Sequence, residues 1–496
     1  MSTQRPLSIK PASWRFLLPC VVSVLMLGIC TKSSPLYPMN DWVDVHCFFT
    51  VGRGIRHGMI PYLDLYEQKG PLIYFLYALA ALISENSFLG VFLIEVLCFA
   101  VFLHYSGRTA EVLADTQWAY PITVAAMGLI IPITPAFSHG GSAEELMLPV
   151  LAGGLYIAVR AMTESRLIRP GEGLLLGALT AAAFWSKYTF CGLFAGLAAG
   201  VIVLYFVRRQ GRDLLRLIGF FLLGLLIPTV PLILWFAAHG ALPAMWDAYI
   251  LNNLSLYSQN IRGGQYDPPL LNLLNNLPWS IPAAAGLVCA YFRKNHRIDA
   301  LVLSLGAAGL FIFTYLNGRR YPYYALVLSV FAPLGFGCAF SLLQNPAAKH
   351  RSAAKRIAIC LTAVIMLASP FAAYKLSRNT YLLGTPREDM PPYRFAALIA
   401  QTEDRSMLNS GFLDGGFYYA AGVLPDSPYF CTLNISLPEM EEALSRSVRD
   451  GETAYVITRQ RPLKETAPYH LIDECSFPFE GRSWAYYLYR RNDLDG

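Results

Sequence analysis

The chain reads as a polytopic α-helical membrane protein of about eleven transmembrane helices, with a small α/β unit at its C-terminal end. Three observations predict this class. Of 496 residues, 55% are hydrophobic and only 15% charged, against roughly a quarter charged in an average soluble domain. The apolar residues come in long blocks that recur over the first three quarters of the chain, as bilayer-crossing helices require. Lys and Arg lie in short clusters between those blocks, so the net charge of +6 belongs to topology signals. The partner this implies is a lipid bilayer and no nucleic acid.

The first block, Trp14 to Cys30, follows a basic start of Arg5, Lys10 and Arg15. It ends in Leu27-Gly28-Ile29-Cys30, which has the outline of a lipoprotein cleavage signal. The bulky Ile29, where a small residue is needed, favours an uncleaved first span. Further blocks run approximately 88–105, 118–136, 144–160, 172–186, 189–207, 217–237, 270–292, 298–316, 323–343 and 357–374. Segment 71–83 is apolar but short for a crossing, and suits a helix at the interface or dipping into the bilayer.

Orientation follows from the retention of positive charge on the cytoplasmic side. With the N-terminus inside, the inner connections carry 18 Lys and Arg, whereas the outer ones carry 8: Lys32, Arg53, Arg56, Lys69, Lys187, Arg262, Arg319 and Arg320. The expected protein is therefore multi-pass in the cytoplasmic (inner) membrane, with residues 375–496 extracytoplasmic. In that tail, Ala454 to Thr458 and Ala485 to Tyr489 look like strands and Pro438 to Val448 like a helix, which predicts an α/β domain separate from residues 1–374. Seven of the ten cysteines sit inside apolar blocks without metal-site spacing. Cys431 and Cys475 in the tail either pair or stay free thiols, and the sequence leaves both open.

The chemistry points to the first outer loop, Thr31 to Gly70. It is long for a passive connection and carries Asp41, Asp44, Asp64, Glu67 and Lys69 beside Trp42, Tyr62 and Tyr66. Its pattern of Asp44, Val51-Gly52-Arg53, Gly58-Met59-Ile60-Pro61-Tyr62-Leu63-Asp64 and Gln68-Lys69-Gly70-Pro71 resembles the first extracytoplasmic loop of the GT-C fold membrane glycosyltransferases that use polyprenyl-phosphate sugars. That group includes bacterial RgtA/B/C/D-like proteins, protein O-mannosyltransferases and lipid A aminoarabinose transferases. Ser142 to Pro149 looks like its acidic second outer loop, Trp185-Ser186-Lys187 like its hairpin-closing lysine, and Asn317 to Tyr324 like its basic-aromatic loop. Tyr323 stands where bacterial members often carry His.

The resemblance implies a membrane glycosyltransferase that takes a sugar from a polyprenyl-phosphate donor to a glycan, lipid or protein acceptor, expected to invert the anomeric centre. Asp44 is then the candidate base, with Asp41, one helical turn away, as competitor. A helix N-cap for the run Val45 to Ile55 is the alternative role of Asp44. Lys69, Lys187, Arg319 and Arg320 would form a cationic rim for the donor phosphate, or alternatively anchor the chain at the interface. Glu144 and Glu145 would position the acceptor, assist the base or hold a divalent cation; helix N-terminal capping is their alternative. Glu95 and His104, within one apolar span, should face the bundle interior. No P-loop, GxSxG or HExxH pattern is present. The competing classes are a secondary transporter or flippase, an assembly protein, and a membrane polysaccharide polymerase or ligase.

Overall fold

The computed structural model describes residues 14–256, 268–292, 297–343, 351–435, 437–463, 468–479 and 482–494. Arg5, Lys10, Arg262, Arg293, Lys294 and Lys349, all part of the charge asymmetry, lie outside them. In chain order the helices are α1 Trp14–Cys30, α2 Val43–Arg56, α3 Pro71–Ile83, α4 Leu89–Ala114, α5 Ala119–Ile133, α6 Ala143–Leu146, α7 Leu148–Thr163, α8 Pro170–Ser186, α9 Cys191–Val207 and α10 Gly211–Ala238. Then follow the short α11 Leu242–Met245, α12 Asn252–Ser255 and α13 Pro269–Leu274, and α14 Leu277–Phe292, α15 Arg297–Tyr315, α16 Ala332–Leu342 and α17 Arg351–Leu376.

Among the described residues, seven stretches are long and apolar enough to cross a membrane: α4, α6 with α7, Tyr188–Val207, α10, Ile298–Tyr315, Pro322–Leu342 and Arg356–Leu376. The chain is thus a polytopic helical membrane protein. α1, α3, α5 and α14 are apolar but shorter. Exposed Leu222, Leu226 and Leu234 on α10, and Leu367 at 82% and Phe371 at 69% exposure on α17, would be untenable in water and fit a lipid-facing surface.

Several apolar blocks are less regular than their hydropathy predicts, because proline and asparagine interrupt them. The block 270–292 breaks at Asn275 and Asn276, where Asn276 Nδ2 donates to Asn272 O at 2.6 Å and Asn276 Oδ1 accepts from Ala136 N at 3.0 Å. Block 323–343 starts as a 3₁₀ stretch over Pro322–Phe331 before α16. The block beginning at 144 divides into α6 and α7 around Met147, ahead of Pro149. Helix contacts are tightest where side chains are smallest. A Cβ on Gly192 or Gly196 of α9 would lie 2.3 Å from Gly309 O or 2.0 Å from Leu305 O of α15, so this helix pair packs backbone to backbone.

Beyond α17 come α18 Pro391–Ile399, α19 Phe417–Ala421, α20 Pro438–Asp450 and the strands β1 Met407–Ser410, β2 Tyr455–Arg459, β3 Tyr469–Phe479 and β4 Arg482–Arg491. The strands form one sheet in the order β1-β2-β4-β3. β1 and β2 are parallel, Met407 opposite Tyr455, and the chain between them crosses over through α19 and α20. β2–β4 and β4–β3 are antiparallel, with an irregularity between Leu471 and Asp473. This C-terminal region does not stand apart from the helices. Thr50 Oγ1 donates to Asp414 at 2.6 Å, Tyr66 N to Pro428 O at 2.8 Å, Tyr419 Oη to Asn86 O at 3.0 Å, and Asn379 Nδ2 to Cys30 O at 2.6 Å.

Candidate active site

Helix α2 begins at Val43, with Trp42 as its N-cap and no side-chain cap bond. Asp44 therefore lies inside the first turn, and the N-cap role that the sequence offered it falls to Trp42. Asn40 sets the entry: its Oδ1 accepts from Trp42 N at 3.1 Å, and its Nδ2 donates to Ser33 Oγ at 3.0 Å and Gly140 O at 3.3 Å. Asp44 is half-buried and, among the described residues, makes one hydrogen bond and no ion pair: Tyr323 Oη donates to Oδ2 at 3.1 Å. Tyr323 in turn meets Trp42 edge-on at 5.1 Å and stacks on Tyr321 at 5.5 Å.

One turn earlier the situation is different. Asp41 receives Lys32 Nζ at 2.5 Å and Tyr381 Oη at 3.1 Å, and Lys32 also reaches Tyr381 Oη at 3.0 Å. Lys32 is 1% exposed, so its charge has to be met inside the protein, and Asp41 meets it. The two aspartates thus have distinct environments, an ion pair for Asp41 and a neutral phenol for Asp44.

Lys69 is fixed by its backbone. Its N–H donates to Glu67 Oε2 at 2.9 Å, its carbonyl accepts from Tyr62 Oη at 2.6 Å, and Tyr74 also donates to Glu67. Gly70 N bonds Ser186 O at 3.0 Å, and a Cβ on Gly70 would lie 2.1 Å from Trp185 O, so only glycine lets the loop meet the end of α8 there. That contact brings Lys69 towards Lys187. Burial pushes the Lys187 ammonium below its ordinary value, Lys69 adds to the fall, and Glu144 and Asp44 oppose it. Lys187 Nζ donates to Glu144 Oε1 at 2.6 Å and sits 3.6 Å from the centre of the Tyr324 ring.

Glu144 and Glu145 occupy the first turn of α6, where Ser142 Oγ caps Glu145 N at 3.0 Å. The residues diverge: Glu144 neutralises Lys187, whereas Glu145 turns inward beside Glu95 and accepts from Gly141 N at 2.8 Å. Glu95 is fully buried and accepts from Thr31 Oγ1 at 2.8 Å, as an ionisable residue facing the bundle interior should. A side chain on Gly140, which has φ +86°, would strike Thr31 and Glu95. His104, by contrast, is half-buried away from this cluster, with Nδ1 2.9 Å from Tyr120 Oη and its ring stacked on Phe16.

The basic-aromatic loop is split in the same way. Arg319 is 5% exposed and donates to Asn434 O at 2.6 Å, tying the loop to the C-terminal region, while Arg320 is exposed. Asp44, Lys69, Glu144, Lys187, Tyr323 and Tyr324 are therefore gathered at one end of the bundle; Asp41, Glu145 and Arg319 are turned to partners of their own. Among the described residues no group of three or more His, Cys, Asp or Glu side chains is arranged to hold a metal ion. Sequence reasoning did not single out Lys32 and Tyr381, which commit Asp41, or Thr50 and Asp414. Lys32 was visible as a lysine directly after the first apolar block, but nothing in the sequence chose between Asp41 and Asp44 as its partner.

The chain is thus folded as apolar helices with this acidic and basic cluster at one end. Among solved structures it is similar to ArnT from Cupriavidus metallidurans bound to undecaprenyl phosphate, at TM-score 0.62 and 15% identity over 97% of this chain and 98% of that one. The apo state of the same protein matches at TM-score 0.60 and 14% identity, over 97% and 99%. The Archaeoglobus fulgidus oligosaccharyltransferase tethered with an acceptor peptide matches at TM-score 0.51 and 11% identity, over 90% of this chain and 69% of that one. All three have the GT-C fold, and this chain shares it. No family model matches the sequence, and no curated protein does.

Proposed function

We propose that the protein is a membrane glycosyltransferase that moves a sugar from a polyprenyl-phosphate donor to an acceptor on the outer face of the cytoplasmic membrane, with inversion. The observation that carries this reading is Asp44: a half-buried carboxylate outside any ion pair among the described residues, within electrostatic reach of Lys187, in a chain of GT-C fold. A carboxylate so placed can take the proton of an acceptor hydroxyl as that oxygen attacks the anomeric carbon. The departing lipid phosphate gains negative charge, and cations that are already oriented lower its energy without reorganising.

Lys69 is our candidate for the donor phosphate. Lys187 supports it with a charge shared with Glu144, and Arg320 lies exposed at the same loop, while Arg319 holds the loop in place. Glu144 acts by fixing Lys187, and Glu145 with Glu95 by fixing α6. Residues 1–374 form the transferase domain with its catalytic loop 31–70, and residues 375–496 an extracytoplasmic α/β domain, with eleven crossings and the N-terminus in the cytoplasm. The acceptor is a cell-envelope glycan, a lipid or a protein. Purified protein given polyprenyl-phosphate sugars and envelope acceptors is expected to release polyprenyl phosphate in step with sugar transfer. Transport or flipping of the lipid without phosphate release would refute the enzyme reading.

A further inference from the structure

The cysteines in the outer loop and the C-terminal region are not arranged as their positions in the tail suggest. Cys475 lies on β3 opposite Tyr486. The neighbour of Cys431 is Cys47 on α2, 384 residues away in sequence, with 3.9 Å between the two sulfurs. Both residues are 1% exposed. Each is held by a fixed frame: Tyr66 N bonds Pro428 O at 2.8 Å, Tyr418 Oη donates to Phe430 O at 2.8 Å and Thr432 N to Phe412 O at 2.9 Å, while Thr50 and Arg53 of α2 reach Asp414 at 2.6 Å and Tyr418 O at 3.4 Å.

We infer that Cys47 and Cys431 form a disulfide that staples the catalytic loop to the C-terminal domain. The inference rests on the proposed placement of both regions outside the cytoplasm, where disulfides persist. Two sulfurs already in contact need only approach each other to bond, and their 384-residue separation means that the link closes a loop of about three quarters of the 496-residue chain.

The chemistry is thiol–disulfide exchange with an external disulfide, carried by a thiol oxidoreductase or a small-molecule disulfide. One cysteine thiolate attacks the external disulfide, forming a mixed disulfide and expelling one thiol. The other cysteine then attacks its partner's sulfur in that mixed disulfide, forming the Cys47–Cys431 bond and expelling the second thiol. The chain loses two protons and two electrons, and the external disulfide is reduced to two thiols. Burial keeps both thiols protonated and out of reach in the folded protein. Exchange therefore precedes the docking of the C-terminal region on α2, and once docked the bond is shielded from reductants.

The test is thiol mapping of the full-length protein extracted from membranes. It is denatured in N-ethylmaleimide without reductant, digested and analysed by mass spectrometry. Eight of the ten cysteines should carry the label, with Cys47 and Cys431 recovered in one cross-linked peptide that separates on reduction. In Cys431→Ser protein Cys47 should become labelled, whereas Cys475→Ser should leave the cross-link intact. Labelling of both Cys47 and Cys431 in the unsubstituted protein, or a cross-link from Cys431 to Cys475, overturns the inference. A sugar-transfer assay on the same preparation separates the two proposals: labelled thiols with active transfer remove the staple alone, and a cross-link without transfer removes the enzyme alone.

Discussion

The two ends of the helix bundle handle charge in opposite ways. At one end, Arg15 donates to Glu111 at 2.8 and 3.3 Å, Arg108 pairs with the same carboxylate, and Arg166 grips Glu172 through two bonds of 2.7 Å. These acids and bases are matched by one another, as anchors of helix ends should be. At the other end the matching is incomplete. Lys187 has Glu144 and Lys32 has Asp41, but Asp44 is left with one phenol, and His46, fully buried on α2, has neither ring nitrogen hydrogen-bonded among the described residues. Unmatched polar groups cost stability, so the Asp44 carboxylate and the buried His46 ring mark this end as the place to look for chemistry.

The comparison breaks most easily at Asp44. Asp44→Asn keeps size and the hydrogen bond to Tyr323 while removing the proton acceptor, so transfer should fall by about 10²- to 10⁴-fold with donor binding largely unchanged. Asp41→Asn removes the charge that meets buried Lys32 and should cost stability, yet the protein that folds should retain most of the activity. If the two variants exchange phenotypes in a transfer assay, the base is Asp41.

Next in size is the pairing of Lys187 with Glu144. Lys187→Ala strands a carboxylate that is 3% exposed, and removing one partner of a buried pair costs about 3–5 kcal/mol. Unfolding in detergent should register that loss together with weakened donor binding. Glu111→Gln at the opposite end should destabilise through Arg15 and Arg108 yet leave transfer by the remaining folded protein unchanged; a fall in its kcat would mean that the two ends are not distinct in function.

The smallest effect concerns pH. Burial holds the His46 imidazole below its ordinary value of 6.5, although Asp414 nearby opposes that fall. The unfolded chain therefore binds a proton more readily than the folded one: stability contributed by neutral His46 is complete above about pH 6.5, declines as pH falls through that value, and levels off below the folded pKa. His46→Gln should flatten this limb of a stability profile in detergent. An unchanged slope would place the titration elsewhere.

The fold was largely legible because bilayer crossing imposes length and apolarity on a contiguous stretch of chain. α1 falls on Trp14–Cys30, and helices stand at each of the other apolar blocks, with α13 and α14 marking the break that Asn275 and Asn276 introduce. The strand-like runs 454–458 and 485–489 fall on β2 and β4 for a similar local reason, the concentration of β-branched and aromatic residues. The candidate residues stood out as a set because acidic and basic side chains are rare between the apolar blocks of so apolar a chain.

Sequence by itself determined that this chain enters a membrane, which charged residues lie between its apolar blocks, and that Asp41 and Asp44 are rival candidates. Only the tertiary structure decided which groups meet: Lys32 and Asp41, Lys187 and Glu144, Arg319 and Asn434, and the thiols of Cys47 and Cys431. The physical reason is range. Hydropathy and helix periodicity are written within a turn or a span, whereas the partner of a buried charge or thiol is chosen by packing between segments up to 384 residues apart.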